Sequence, residues 1–554
     1  MPDAMKIDSL SLEGRRAGAV AVCLCLAALA LRLVGLSHLP PGLFVDEAFT
    51  GYDALSLLHT GRDMWGEWLP VYFASWGGDA VEGLYRYLCV PFLALLGPVP
   101  LAVRLPAALA GAATVGLTFL AGRRLLGDFP AVIAAGLLAV SPWHVPLSRV
   151  GFRAILLPAA AAALVWLAMV AVGRTAKGPV QARRHAWPAA ALVAGLGLYS
   201  YAVAKLFIPM LVLLLVWVLR DVCVKQPRRV LLGAALLLLM AIPAARWTWA
   251  GRGQVRFEQI SVFAPQQVQR SAEALREGHP DLRLAHWVAS HPALTVTWTL
   301  CSNYLSHFHP RYLLTHGDEN LRHSPSGVGQ LFWVEGMLLL LGVAGALWRR
   351  SPADHILLGW FLLGPLADSL TNDRVPNALR SLPTLPAAQL LAASGFLMLW
   401  AALRARRRVA LVLTASLAVG LGVEVARYQT RYFTTYASEA GPYWNAAYAE
   451  GVQLLLREAP ATAPLRVLRP ADAEVSRYAL NASVYSLFLF YGQVPPAEFQ
   501  ATRSLGRARV VRLAAELPSG AWALIPSTAA DPGQVRRWVE DARGQRSLAI
   551  VQVP

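Results

Sequence analysis

Apolar stretches recur along most of this chain, separated by short polar breaks. Each is about 20 residues long, enough to cross a bilayer as a helix. The pattern predicts spans over residues 17–36, 99–122, 129–148, 154–173, 186–204, 206–220, 230–249, 328–347, 355–371, 383–403 and 409–425. Alternate breaks are short and basic: Arg15-Arg16, Arg123-Arg124, Arg174 to Arg184, Arg220 to Arg229, Arg349-Arg350 and Arg404 to Arg408. One orientation puts all of them in the cytoplasm. Residues 37–98, 149–153, Lys205, 250–327, 372–382 and the chain beyond 426 then face outward. Within 37–98, Tyr52, Leu55, Leu57 and Leu58 predict a short amphipathic helix. Residues 83–97 are apolar but short, which suits an interfacial or re-entrant helix. Lys205 marks a tight hairpin between two nearly continuous spans.

Beyond residue 425 the pattern becomes more polar. Leu465 to Leu468, Arg509 to Leu513, Ala521 to Ile525 and Ser547 to Val553 predict strands, and 443–457 and 532–543 amphipathic helices. The expected fold is therefore an all-α polytopic membrane domain over 1–425, with about eleven transmembrane helices and interfacial helices in its first outer loop. A small extracytoplasmic α/β domain over 426–554 follows. This tail has no glycine-rich phosphate loop and no nucleophile elbow. Asn481-Ala482-Ser483 fits a glycosylation acceptor. The tail receives no catalytic role; packing over the membrane domain and binding the acceptor both remain open.

Composition agrees. The 554 residues are 56% hydrophobic and only 15% charged, against about a quarter charged in soluble domains. A net charge of +17 would suggest nucleic acid in a soluble protein. Here the basic residues sit in the breaks between spans, so they report membrane orientation and no nucleic-acid partner is expected. Cys23, Cys25, Cys89, Cys223 and Cys301 lie mostly in apolar segments without metal-type spacing and read as small core residues. The first apolar run is long and followed by further spans, so it reads as a signal anchor.

The candidate chemistry starts at Asp46-Glu47, just past the first span. Paired carboxylates beside a bilayer suit a site facing a water-filled cavity; the plainer alternative is a solvated loop. The outward segments also hold Glu82, Arg104, Arg149, Arg153, Tyr199, Tyr201, Lys205 and Arg380. Cations on that face run against the positive-inside tendency. A bound anion explains them, with a lipid phosphate as the obvious candidate; snorkelling to headgroups is the alternative for any one of them. A carboxylate can orient an acceptor hydroxyl and take its proton as it attacks a sugar linked to a lipid phosphate. Cations stabilise the departing phosphate. The donor is already activated, so no nucleotide-binding fold is required.

At these residues the chain resembles the C-type glycosyltransferase superfamily, in the bacterial branch of the protein O-mannosyltransferases and lipid A aminoarabinose transferases. The resemblance runs through Val45-Asp46-Glu47-Ala48, Thr60-Gly61-Arg62-Asp63, Leu69-Pro70-Val71-Tyr72-Phe73, Arg104-Leu105-Pro106 and Gly122-Arg123-Arg124-Leu125. It continues in Ser141-Pro142-Trp143-His144, Ser148-Arg149, Tyr199-Ser200-Tyr201 and Arg380-Ser381-Leu382-Pro383-Thr384-Leu385-Pro386. It covers about residues 15 to 425 and leaves the tail unexplained. The resemblance implies that Asp46 is the catalytic aspartate and Glu47 a second acid. Glu82 falls where aminoarabinose transferases carry Glu-Lys-Pro; this chain has Glu82-Gly83-Leu84, without the lysine, which puts aminoarabinose transfer to lipid A in doubt. Arg104, Lys205 and Arg380 fall where relatives place cations, the latter two near the lipid phosphate. A polyprenyl-phosphate sugar donor and inversion at the anomeric carbon are implied in the same way.

The loop from Asn303 to Pro325 is rich in His, Asp and Asn and also resembles the bacterial members. His309 and Asp318 are its candidate substrate contacts. His307, His309, His316 and His323 are candidate ligands of a divalent metal with Glu82 or Asp318, against the plainer reading as solvated loop histidines. No cofactor is otherwise expected.

These observations predict an inner-membrane glycosyltransferase with its active site on the extracytoplasmic face, taking a polyprenyl-phosphate sugar to an acceptor protein, lipid or glycan. Alternatives are a transporter or flippase of lipid-linked sugars and a non-catalytic envelope assembly protein. A transporter commonly shows internal repeats and charges near the bilayer midplane, and this chain shows neither.

Overall fold

The computed structural model describes residues 14–75, 79–249, 255–468, 477–511 and 513–554. The side chain of Asn481 and the start of loop 250–327 lie outside them. The chain is mostly helical. Its first part holds α1 (Gly14–Leu33), α2 (Val45–Thr60), the hairpin β1 (Tyr72–Ala74) and β2 (Ala80–Glu82), α3 (Leu84–Leu96), α4 (Pro100–Leu125), α5 (Asp128–Val140) and α6 (Leu156–Val172). Then come α7 (Ala186–Gly197), α8 (Ala204–Val218), α9 (Pro227–Trp249), α10 (Pro265–Gly278), α11 (Arg283–Ala289) and α12 (Pro292–Ser306). The series closes with α13 (Trp333–Arg349), α14 (Pro352–Leu363), α15 (Ala387–Leu403) and α16 (Arg407–Thr434).

Each predicted span falls on one of these helices. Among the described residues, five stretches are long and apolar enough to cross a membrane: Gly14–Leu33, Pro100–Leu125, Arg153–Val172, Pro227–Trp247 and Leu382–Thr434. The others are shorter. The span expected over 129–148 stops at Val140, because Ser141-Pro142 ends the helix and a separate turn, His144–Leu147, follows. Helix α16 runs unbroken past residue 426. After the short helix Val255–Ile260, loop 250–327 holds three further helices, α10 to α12, which the polar pattern concealed.

Local chemistry sets the ends. Proline opens α4, α9, α10, α12 and α14, where its missing N–H costs nothing. Ser351 and Asp354 cap α14 reciprocally: Asp354 N donates to Ser351 Oγ at 3.2 Å and Ser351 N to Asp354 Oδ2 at 3.1 Å. Small residues let helices close: a Cβ on Gly342 of α13 would collide with the Leu391 carbonyl of α15, and one on Gly395 with the Leu338 carbonyl.

The tail folds around a five-stranded sheet of β3 (Leu465–Leu468), β4 (Ala508–Val511), β5 (Trp522–Pro526), β6 (Val535–Glu540) and β7 (Arg546–Gln552), in the order β4-β3-β5-β7-β6. The pairs β3–β4 and β3–β5 are parallel; β7 is antiparallel to β5 and β6. The helices α17 (Ala446–Glu458), α18 (Arg477–Tyr491) and α19 (Pro496–Thr502) accompany it. The helix expected over 532–543 is instead the strand β6. Pairing with β7 across the Asp541–Gly544 turn overrides a pattern that also fits a helix.

Helix α2 is the second correction. An amphipathic surface helix was expected, yet every residue from Glu47 to Leu57 is buried. The tail covers it. Tyr52 Oη donates to the Val494 carbonyl at 2.9 Å, and Gln500 Nε2 donates to Ser56 Oγ and Thr60 Oγ1, each at 3.0 Å, and to Asp63 O at 2.9 Å. Gly51 lies so close to the Phe490 ring that a Cβ would overlap it.

Candidate active site at the start of helix α2

Asp46 and Glu47 occupy the first turn of α2, where unpaired N–H groups and the helix dipole favour negative charge. Consecutive helical residues point about 100° apart, so the two acids diverge. Glu47 turns inward and is fully buried. Its Oε1 accepts from Arg104 Nε and Gly151 N, both at 2.9 Å. Its Oε2 accepts from Arg104 Nη2 at 3.0 Å and Phe44 N at 3.3 Å. Arg104 Nη1 donates to the carbonyls of Leu36 (3.3 Å) and Pro40 (2.8 Å), and Nη2 also to that of Gly42 (2.8 Å). Every guanidinium N–H is then used inside the chain. The phosphate contact expected of Arg104 has no donor left in this arrangement.

Arg149 behaves the same way. Its Nη1 donates to the carbonyls of Leu31 (2.9 Å) and Arg32 (2.8 Å), and its Nη2 to those of Val34 (2.7 Å) and Leu39 (3.1 Å). Its Nε reaches Tyr432 Oη at 3.3 Å. It is a fully buried cation at the carbonyl end of α1, where the helix dipole is negative. Arg104 and Arg149 together brace the link from α1 to Asp46 by its carbonyls. Their departure from the positive-inside tendency is explained without a bound anion.

Alternate residues of the segment 149–153 serve different partners. Arg149 holds α1, Gly151 donates to Glu47, and Arg153 Nε donates to Glu82 Oε2 at 3.0 Å. A Cβ on Gly151 would meet Val103 Cγ1 at 2.8 Å, so only glycine brings this backbone up to Glu47. Glu82, at the end of β2, is 1% exposed and also pairs with Lys205 Nζ at 3.0 Å. Burial alone would raise its pKa, but Arg153 and then Lys205 hold the carboxyl below the usual range. Arg153 lies over the Tyr201 ring at 5.3 Å and Lys205 over the Tyr72 ring at 5.0 Å. Tyr199 is buried against Tyr72 and donates to the Met240 carbonyl.

Arg380 comes from the loop before α15. Its Nε donates to the buried Asp368 and its Nη2 to the carbonyls of Asp373 and Arg374, while Nη1 has only a 3.7 Å approach to Asp373 Oδ2. Tyr201, under the Arg153 guanidinium, also lies within electrostatic reach of Arg380. Asp318 is a joint. It accepts from His323 Nδ1 (2.6 Å), Asn320 N (2.8 Å) and Ala378 N (2.7 Å), and so ties loop 316–324 to the Arg380 loop. Burial would raise its pKa, and His323 brings it below the usual range.

Residues 84–247 match the family model of the dolichyl-phosphate-mannose-protein mannosyltransferases. The crystal structure of ArnT from Cupriavidus metallidurans bound to undecaprenyl phosphate is similar over 96% of this chain and 98% of its own, at 16% identity and a TM-score of 0.51. The fold is that of the C-type glycosyltransferases. The apo structure of the same ArnT is similar over 97% of this chain and 98% of its own, also at 16% identity and TM-score 0.51. A more distant likeness, at TM-score 0.48 and 12% identity, is to the oligosaccharyltransferase AglB from Archaeoglobus fulgidus, over 92% of this chain and 69% of that one. No curated protein matches the chain by sequence.

In this C-type fold Asp46 is the acid left free. It is exposed and makes no hydrogen bond or ion pair with a described residue. Arg153 and Arg322 both lie within its electrostatic reach. Arg322 was not singled out from the sequence. Its guanidinium carbon sits 4.0 Å from the Phe44 ring centroid, and its Nε donates to Asn320 Oδ1 at 3.1 Å, which leaves both Nη groups free among the described residues. Burial pushes this guanidinium down, and the Asp46 carboxylate is the largest opposing influence. No signal in the sequence separates Arg322 from other loop arginines. His309 is exposed, accepts only from Arg311 N at 3.1 Å, and does not join the cluster. Among the described residues no three His, Cys, Asp or Glu side chains gather as a metal ion would need. His307 is committed to Asp368, and His323 to Asp318.

Proposed function

We propose that this chain is an integral membrane glycosyltransferase that moves a sugar from a polyprenyl-phosphate donor to an acceptor hydroxyl on the extracytoplasmic face. One observation carries the reading: Asp46, a carboxylate without a partner among the described residues, lies within electrostatic reach of Arg153 and Arg322, which keep donors to spare. Arg153, Lys205, Arg322 and Arg380 spend only part of their hydrogen-bonding capacity on the protein. Asp46 orients the acceptor hydroxyl and takes its proton as the oxygen attacks the anomeric carbon. The bond to the phosphate oxygen breaks as the new one forms, and the cations receive the growing charge on the phosphate. A single in-line displacement of this kind inverts the anomeric centre.

Glu47, Arg104 and Arg149 have a different part. They hold the link 34–44 rigid, so Asp46 meets the substrate without reorganisation. Glu82 keeps Arg153 and Lys205 in place. An apolar groove of 480 Å³, lined by Met210, Leu213, Leu214 and Trp217 of α8 with Leu362 and Leu366, lies along the helix that begins beside Lys205. It supports an isoprenoid tail with its phosphate at that end.

The test is a screen of radiolabelled polyprenyl-phosphate sugars with purified protein and candidate acceptors. Wild type forms a new glycosidic bond; Asp46→Ala and Asp46→Asn form none while remaining folded in the membrane. Full transfer by either variant removes Asp46 from the mechanism. Movement of labelled lipid across vesicles without bond formation would make the chain a transporter.

A further inference from the structure

The segment between α16 and α17 lies against the site, and the chemistry above gives it no role. It runs through the turn Tyr436–Ala440 to Trp444, and Asn445, at a φ of 54°, then turns the chain into α17. Tyr436 and Trp444 are fully buried. Their polar atoms form a relay of fixed direction. The Leu321 carbonyl can only accept, so Tyr436 Oη donates to it, at 2.6 Å. The same oxygen accepts from Trp444 Nε1, at 3.0 Å.

The indole ring reaches the Asp46 side of the site. It stacks on Phe152 at 6.0 Å and meets Phe44 edge-on at 6.2 Å. Phe44 directly precedes α2, its N–H is bound to Glu47, and Asp46 is two residues on. Gly42 shows how closely the two segments pack. Its φ is +70°, and a Cβ there would fall 2.7 Å from Ala446 Cα, at the start of α17. Arg322 is held between these anchors. Leu321, whose carbonyl Tyr436 engages, precedes it, and its guanidinium rests over the Phe44 ring at 4.0 Å. Asn320 Oδ1 accepts from Arg322 N at 3.2 Å and from its Nε at 3.1 Å. Asp318 fastens the same loop from the Arg380 side, through Ala378 N. Tyr436 and Trp444 are too deeply buried to meet a substrate, so each acts through Arg322 or Phe44.

We propose that Tyr436 is a positioning residue for transfer: its hydroxyl, oriented by Trp444, holds the Leu321 carbonyl and so keeps Arg322 aimed at the lipid phosphate beside Asp46. This rests on the reading that Arg322 faces that phosphate. The tail then takes part in the reaction through its first residues, in addition to covering α2. Tyr436→Phe leaves the ring stacked on Tyr432, 4.9 Å away, and removes the hydroxyl alone. The Leu321 carbonyl loses its donor, the loop relaxes, and the guanidinium spends part of its time away from the phosphate.

The experiment measures binding of undecaprenyl phosphate to the full chain in nanodiscs. Wild type, Tyr436→Phe, Arg322→Ala and the double variant are compared. Arg322→Ala binds about tenfold more weakly than wild type. Tyr436→Phe binds about three- to fivefold more weakly, and the double variant binds like Arg322→Ala. A group that acts only through Arg322 has nothing left to position once Arg322 is gone. If Tyr436→Phe costs the same factor in both backgrounds, its effect is general packing and the proposal falls. If it leaves binding unchanged while Arg322→Ala weakens it, only the role of Tyr436 falls. If Arg322→Ala binds like wild type, Arg322 does not face the phosphate, and that reading and the proposal fall together. Trp444→Phe decides the matter should Tyr436→Phe fail to fold. It keeps a ring against Phe152 and Phe44 and removes the N–H that orients the hydroxyl. It weakens binding about twofold, and only where Arg322 is present. An equal loss in both backgrounds, or none in either, overturns the proposal.

Discussion

Arg104→Met separates the group that builds the site from the group that acts in it. Methionine keeps much of the volume and none of the donors. Glu47 is left with the Gly151 and Phe44 N–H groups, while the carbonyls of Leu36, Pro40 and Gly42 lose their donor. Both partners of the ion pair are fully buried, so screening by water does not soften the loss. Breaking such a pair from one side costs about 3–5 kcal/mol. Each stranded carbonyl adds about 1 kcal/mol where water cannot reach it. Arg104→Met with Glu47→Leu removes both charges and recovers a good part of this, since an apolar replacement of a buried pair is often close to neutral. Asp46→Asn alters an exposed residue without partners and shifts stability by less than about 0.5 kcal/mol. It lowers transfer by at least about 10²-fold, the usual worth of a general base. Thermal unfolding of the detergent-solubilised chain, followed by tryptophan fluorescence, and a transfer assay on the same preparations read both quantities. An Arg104→Met chain that melts like wild type but no longer binds the lipid phosphate would refute the reasoning and restore Arg104 as a phosphate contact.

Other consequences can be measured in the same preparations. Glu82 has a folded pKa below its unfolded value near 4.5, so its stabilisation is present above that value and is lost as pH falls through the folded one. Glu82→Gln is therefore less stable than wild type near neutrality, and the gap closes in acid; a gap that widens in acid contradicts the assignment. Gly395→Ala places a methyl on the Leu338 carbonyl and costs about 1–3 kcal/mol of stability, whereas Gly422→Ala, with nothing within 4 Å of the new carbon, leaves the melting unchanged. Arg322→Ala lowers transfer about 10²-fold without changing the melting temperature. Equal loss of stability and activity would make it a structural residue instead.

Hydropathy alone was enough to point to a mostly helical chain with several long apolar helices and a small sheet towards its end. Spans of this kind are written locally, because a stretch that must satisfy its own backbone in lipid has to be long, apolar and helical. The tail strands at 465–468 and 521–525 were legible for a similar reason, since short apolar runs bounded by turn residues permit little else. Segment 532–543 was not, because its period suited either state until β7 lay beside it.

The acidic pair also stood out in the chain, and so did most of the cations. Only the resemblance singled out Asp46; the residues themselves do not say which acid is spent and which is free. That distinction depends on a turn of about 100° between neighbours on α2 and on what lies to each side. Glu47 meets Arg104 and Gly151, more than fifty residues away in sequence. Asp46 meets open space beside Arg153 and Arg322. The same applies to the arginines, whose residue type and side of the membrane do not tell them apart and among which the resemblance favoured Arg104 and Arg380. Tertiary packing consumes every donor of Arg104 and Arg149 on backbone carbonyls, Glu47 and Tyr432, and leaves Arg153, Lys205, Arg322 and Arg380 with some to offer. Charge and residue type are local properties; unspent hydrogen-bonding capacity belongs to the folded neighbourhood, and only the fold could assign it.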